Sequence, residues 1–178
     1  MNKNNIKKYI KLMDTKLGKA LKPLPPLPKN TVAWLTDYLW VLTAIGAVLV
    51  SMSVISLFYA ISAYMNFVGN FSAYQGFYTH SAYGSLWMLS TVIAIGFALL
   101  VAYLLFKAIA PLHQKKAYGW NLLLIVFLVS GVEIVVNAVL SLSVFQFIST
   151  IIISGIFYAI GAYFLYQVKP HFVKTHKN

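Results

Sequence analysis

The amino-acid sequence predicts an all-α, polytopic membrane protein: a four-transmembrane-helix bundle with both termini inside and an amphipathic helix at its N-terminus. Three observations predict it. Of 178 residues, 60% are hydrophobic and 10% charged, with a mean hydropathy of +0.76, too little charge to cover a water-soluble surface. The apolar residues come in four long continuous runs without two-residue alternation, which selects helices over a barrel. All 14 basic residues are lysines, against three acids, for a net charge of +11, and they crowd the chain ends and one of the three connections between runs.

Residues 1–22 read as a cytoplasmic basic amphipathic helix. Ile6, Tyr9, Ile10, Met13, Leu17, Ala20 and Leu21 fall on one stripe at helical spacing, with Lys7, Lys8, Lys11, Lys19 and Lys22 opposite. Such a helix lies apolar side down on a bilayer, and each lysine gains ~1 kcal/mol from anionic head groups, so these five lysines are the expected lipid contacts. A frayed tail acting only as a topology signal is the competing reading. Nucleic acid is not an expected partner, because no arginine and no stacking aromatics are interleaved with the lysines. Residues 23–30 form a linker in which Pro23, Pro25, Pro26 and Pro28 favour an extended polyproline conformation. Its spacing formally matches an SH3-type ligand, but a stiff spacer ahead of the first span is preferred. Asn30 or Thr31 then caps the next helix, with Asp37 in its second turn.

Residues 31–168 make up the transmembrane domain, with spans at 38–62, 86–106, 120–142 and 147–167, followed by a cytoplasmic tail over 169–178. Residues 38–106 contain no Asp, Glu, Lys or Arg. That stretch is too long for one crossing, and the loop-like run Met65–Gly84 divides it. The apolar cores Leu39–Ile61, Leu86–Phe106, Leu122–Leu142 and Phe147–Tyr166 each reach across ~30 Å of hydrocarbon at ~1.5 Å per residue.

Lysine placement sets direction. Eight lysines lie within residues 1–30, three are Lys107, Lys115 and Lys116, and three are Lys169, Lys174 and Lys177, while residues 62–85 and 143–146 hold none. The positive-inside rule then puts both termini in the cytoplasm of a cell (inner or plasma) membrane, or on the matrix or stromal side in an organelle. Trp34, Trp40 and Trp120 mark the inner interface and Trp87 the outer one. The first span does not read as a cleavable signal, since a long basic and proline-rich segment precedes it. In the outer loop, residues 62–85, the aromatics Tyr64, Phe67, Phe71, Tyr74 and Tyr78 recur at three- and four-residue steps. They suggest a short helix in the outer head-group layer, as an interfacial anchor in preference to a lid. Asn70-Phe71-Ser72 is a glycosylation sequon that matters only in a secretory-pathway host.

Glu133 stands alone among the spans as a charged residue. It lies roughly 20 Å from the inner interface, and Ser130, Glu133, Asn137 and Ser141 share one helix face. At the same depth the other spans offer Ser53 and Ser56, Ser90 and Thr91, and Thr150 and Ser154. Ser130, Glu133, Asn137 and Ser154 are therefore the candidate intramembrane polar site. It either binds a proton, cation or amine, or serves as a neutral acid tying helices together. Small residues at four-residue steps permit close packing: Ala44, Ala47 and Ser51; Ala94, Ala98 and Ala102; Gly155, Ala159 and Ala162. Spans two and four also end alike, at Ala102–Phe106 and Ala162–Tyr166, which would fit a parallel duplication.

An enzyme is not expected. With no cysteine, thiol, disulfide and iron–sulfur chemistry drop out. Asp37, His80 and Glu133 lie at three different depths, which separates any triad or carboxylate pair. His113, His171 and His176 lack metal-binding spacing, no glycine-rich phosphate loop occurs, and no cofactor or metal is expected.

The stretch from Ala110-Pro111 through Lys115-Lys116 to Gly119-Trp120, the run Ala162–Lys169, and Leu24-Pro25-Pro26-Leu27-Pro28-Lys29 together resemble small four-span membrane proteins of reduced-genome bacteria. The resemblance covers about a quarter of the chain and implies a bacterial inner membrane and a family without assigned activity. It carries over no functional residue. The expected function is non-enzymatic: a structural or associating protein, in contact with the lipid bilayer and its anionic head groups, and a homo-oligomer or the partner of another membrane protein. The alternative is a small transporter or channel subunit that uses Glu133.

Overall fold

In so apolar a chain the backbone amides have only each other to bond to, and helices meet that demand within each segment. The computed structural model describes residues 15, 16, 18, 19, 21, 23–75, 82–140 and 144–173. Among them are four long helices and no strand: α1 (Lys29–Gln75), α2 (Ala82–His113), α3 (Ala117–Leu140) and α4 (Val144–Val173). Each contains a stretch long and apolar enough to cross a bilayer, at Lys29–Phe67, Leu86–His113, Ala117–Leu140 and Phe147–Phe172. The chain is a multi-pass, four-helix membrane protein.

Helix α1 corrects one boundary. Met65 onward reads as loop in the sequence, yet α1 continues unbroken to Gln75, and α2 begins at Ala82. Asn66, Gly69 and Asn70 look like breakers, but each costs a helix only about 1 kcal/mol or less and no proline interrupts the run. Away from water, opening the helix would cost more. The separate head-group helix expected around Phe71 and Tyr74 is thus the end of α1, while Tyr78 and His80 lie outside the described residues. Tyr64 of α1 and Trp87 of α2, with ring centroids 5.0 Å apart, join the two helices at this level.

α1 and α2 form an antiparallel pair. The buried positions are Val32, Thr36, Thr43, Ala47 and Val54 on α1, and Thr91, Ile95, Ala98, Val101, Ala102, Leu105, Ala108 and Leu112 on α2. Their three- and four-residue steps are those of a left-handed helical pair. Small and hydroxylated residues point inward while Ile45, Leu49, Met52, Phe58 and Tyr59 point out, as expected where lipid solvates large apolar side chains as well as a core does. The inward hydroxyls are satisfied within α1: Thr36 donates to the Val32 carbonyl at 2.7 Å, Thr43 to Leu39 at 2.7 Å and Ser51 to Ala47 at 2.8 Å.

A tight turn joins α2 to α3. The Lys115 amide donates to the Leu112 carbonyl at 2.9 Å and the Lys116 amide to Pro111 at 2.8 Å, with Lys115 at φ 52°. This is the Schellman helix stop, with lysine where glycine is usual. Pro111 and Pro170 sit in the last turns of α2 and α4, so both helices outrun the spans expected from the sequence.

The core lies at the lysine-bearing end. There Leu105, Ala108 and Leu112 of α2 meet Trp120, Leu122 and Leu124 of α3, and Val168 and Phe172 of α4. Trp120, expected in an interfacial belt, is instead 2% exposed, because it stands in the first turn of α3 facing its neighbours. Its indole N–H donates to the Leu165 carbonyl at 3.4 Å. At the far end the only buried cluster among the described residues is Val54, Ile95 and Ala98, between α1 and α2. The bundle is closed at one end and open at the other, and α4 is the least covered helix: 6% of its apolar stretch is buried, against 33% for α2.

Candidate functional site

The polar residues Ser130, Glu133 and Asn137 occur at three- and four-residue steps on α3, in the open half, each partly covered. Ser141 lies outside the described residues. The register between α3 and α4 follows from two contacts. A Cβ at Gly161 would lie 3.7 Å from the Phe127 ring, and the Tyr158 hydroxyl donates to the Phe127 carbonyl at 2.9 Å. In an antiparallel pair, stepping from Gly161 back to Ser154 matches stepping from Phe127 forward to Ile134, the residue after Glu133. The structure therefore brings Ser154 level with Glu133.

Level does not mean bonded. Among the described residues, none of the side chains of Ser130, Glu133, Asn137 and Ser154 makes a hydrogen bond or ion pair, and no fully buried side-chain polar atom lacks a partner. The Glu133 oxygens therefore reach the surface of the bundle, where lipid, a second helix or a ligand meets them.

The other hydroxyls at this depth do not join the row. Ser53 donates to the Val50 carbonyl at 2.7 Å, Ser56 to Met52 at 3.1 Å, and Ser90 and Thr91 to Trp87 at 2.8 Å. Serine and threonine in helices reach their own carbonyls three and four residues back, and that local bond replaces convergence on a shared centre.

The structure also shows contacts that sequence reasoning missed. Tyr158 stacks on Phe127 with ring centroids 3.7 Å apart and sits over Gly131, where a Cβ would fall 2.6 Å from the hydroxyl and 2.9 Å from Cζ. A glycine in mid-span was the available signal, but its aromatic partner is on another helix. Asp37 and Lys115 pair at 2.6 Å at the lysine-bearing end, with side chains 56% and 51% exposed respectively. Trp40 and His113 meet edge to face at 5.0 Å nearby.

Of the lysines expected to touch lipid, Lys19 is described and exposed; Lys7, Lys8, Lys11 and Lys22 lie outside the described residues. The proline linker is bonded to α4: the Tyr163 hydroxyl donates to the Pro25 carbonyl at 2.7 Å. Beside it, the Lys169 ammonium lies 5.0 Å from the Trp120 ring and 5.2 Å from the Tyr166 ring. Among the described residues, no three His, Asp or Glu side chains come together as metal ligands would.

Comparison of the chain with protein-family models, with curated proteins and with solved structures gives no match.

Proposed function

We propose that this chain is a non-enzymatic protein that associates with a second copy of itself inside a cell membrane, with both termini cytoplasmic and its lysines against anionic head groups. One observation carries the reading. Ala47, Ala98 and Ala102 of the small-residue stripes on α1 and α2 are buried inside the bundle, as is Ala162 at the lysine-bearing end of the α4 stripe, but Gly155 and Ala159 of that stripe are exposed, and nothing lies within 4 Å of where a Gly155 Cβ would be. Faces of that kind let backbones approach closely between protomers. Because the chain has no cysteine, single-cysteine cross-linking in membranes tests this directly. Gly155→Cys should give disulfide-linked dimers on oxidation, whereas Phe157→Cys, about 200° around the helix, should not. Equal cross-linking at both positions, or none at Gly155, rejects self-association through this face.

A second reading rests on the surface-reaching Glu133 oxygens level with Ser154: a transporter or channel subunit for protons, cations or amines. Glu133→Gln keeps hydrogen-bonding capacity, so it should leave the Gly155→Cys cross-link intact while abolishing flux into liposomes. Liposomes of the parent protein that carry no flux remove this reading.

A further inference from the structure

We infer that Lys107 and Tyr103 of α2, together with Tyr118 of α3, bind the phosphate of one anionic phospholipid on the lipid-facing surface of the bundle. Lys107 is the first charged residue after the uncharged run 38–106. Hydrocarbon expels charge, so this ammonium marks where α2 reaches the head groups. It donates to the Tyr103 hydroxyl at 3.5 Å and lies 5.5 Å from the centre of that ring. The Tyr118 hydroxyl, from the first turn of α3, is close enough to accept from it as well.

Among the described residues no carboxylate meets this charge. Both neighbours of the ammonium are neutral phenols, and the ion pair that the described residues form is Asp37–Lys115. Glu133 lies in the open half, and Asp14 lies outside the described residues. Each phenol turns its oxygen to Lys107 as an acceptor, which leaves its O–H to donate elsewhere, and neither has a further hydrogen bond. All three side chains are exposed. The pinned α2–α3 turn and the close approach at Gly119 hold the first turn of α3 against α2, and Tyr118 with it. Three donors thus share one place, which suits a group that only accepts and carries negative charge, as a phosphate oxygen does.

The surroundings choose the ligand class. Leu99, Tyr103 and Phe106, all exposed, follow one another at three- and four-residue steps along α2 and give an acyl chain its track. A free phosphate would use the donors and leave that strip unused. A choline or ethanolamine head would bring a cation where no described carboxylate awaits it and where the Tyr103 ring already holds Lys107. An anionic phospholipid satisfies donors and strip together. This inference deepens the proposed lysine contact with anionic lipid and rests on it. It does not need self-association.

The test is native mass spectrometry of the full chain in mild detergent, titrated with phosphatidylglycerol or phosphatidylcholine and read on the monomer. One phosphatidylglycerol should be retained in preference to phosphatidylcholine. Lys107→Gln should weaken it about fivefold, the effect of one lysine near a charged surface, and Lys107→Arg should restore it. The double variant Tyr103→Phe, Tyr118→Phe keeps both rings and every lysine, and the loss of two donors should weaken retention about tenfold. Lys29→Gln removes the same charge from an exposed position on α1 and should stay within about twofold of the parent, since distant exposed charges are screened. Inorganic phosphate should not displace the lipid. Equal losses in Lys107→Gln and Lys29→Gln, no loss in the double tyrosine variant, or displacement by phosphate would overturn the site while leaving a diffuse lysine contact standing. Equal retention of the two lipids by the parent would overturn that contact and the site together. Dimers are read separately by the Gly155→Cys cross-link, so self-association stands or falls apart from both.

Discussion

Among the described glycines, Gly119 is the one where an added methyl group meets backbone of a neighbouring helix. A Cβ there would lie 2.7 Å from the Leu112 amide nitrogen, 2.9 Å from the Pro111 carbonyl carbon and 3.0 Å from Leu112 Cγ. Two of these three atoms are backbone, so no side-chain rotation relieves the clash. The turn that carries them is also pinned, by the bonds from Lys115 to Leu112 and from Lys116 to Pro111. Gly119→Ala must therefore prise α3 away from the end of α2, beside Trp120 and Leu112, two of the largest fully buried side chains. Overpacking of this kind costs about 1–3 kcal/mol, and alanine's better helix propensity returns at most about 1 kcal/mol. Because two of the clashing atoms are backbone, the cost falls in the upper part of that range, about 2–3 kcal/mol, so the net loss is about 1–2 kcal/mol, or roughly a five- to thirtyfold rise in the unfolding constant. Reversible unfolding in mixed detergent micelles measures it, with Gly96→Ala as the internal control. Nothing lies within 4 Å of a Gly96 Cβ, so that variant should be neutral or slightly stabilised. If both variants unfold alike, the close approach of α2 and α3 described here is wrong.

Tyr158→Phe removes one interhelical hydrogen bond and should cost about 0.6 kcal/mol, the usual value for such bonds in membranes, in the same unfolding assay. Gly131→Ala should cost more, because its Cβ meets the Tyr158 ring carbons as well as the hydroxyl; the double variant should recover part of that loss, giving a non-zero coupling energy in a double-mutant cycle. Asp37→Asn should shift stability by less than about 1 kcal/mol, and by less still in high salt, since both partners of the Lys115 pair are more than half exposed. Lys115→Gly should be close to neutral: relief of the left-handed backbone gains about 1 kcal/mol, offset by the lost pair and by the greater freedom of glycine in the unfolded chain.

Hydropathy and length were enough to find four helices because the bilayer imposes both on any segment that crosses it. Which way each helix faces was harder to see. With large apolar residues on every side, periodicity carries no signal, and the buried faces are marked by what is small, such as Ala47, Ala98 and Ala102. Those stripes were visible on α1 and α2; that the α4 stripe stays open at Gly155 depends on tertiary placement alone. The polar row of Ser130, Glu133 and Asn137 could be read from helical spacing within α3. Ser154 was paired with it by depth, and the structure supports that level through contacts at Phe127, Tyr158 and Gly161 that no local pattern encodes. The hydroxyls of Ser53 and Thr91 share that depth, but each bonds a carbonyl of its own helix, which counting depth does not reveal. Trp120 misled in a similar way: tryptophan at the edge of a span suggests an interfacial anchor, and only the α2–α3 turn reveals that it points inward.

The unequal heights of the helices have a consequence for the surrounding lipid. α1 runs for 47 residues and α3 for 24, lengths of roughly 70 Å and 36 Å. The shorter helix nearly matches the ~30 Å hydrocarbon layer, whereas the longer one must lean or carry its ends, Lys29 and Asp37 among them, beyond that layer. Whatever apolar length stays in excess is met by tilt or by a local change in bilayer thickness, at an elastic cost that accrues with each ångström of mismatch.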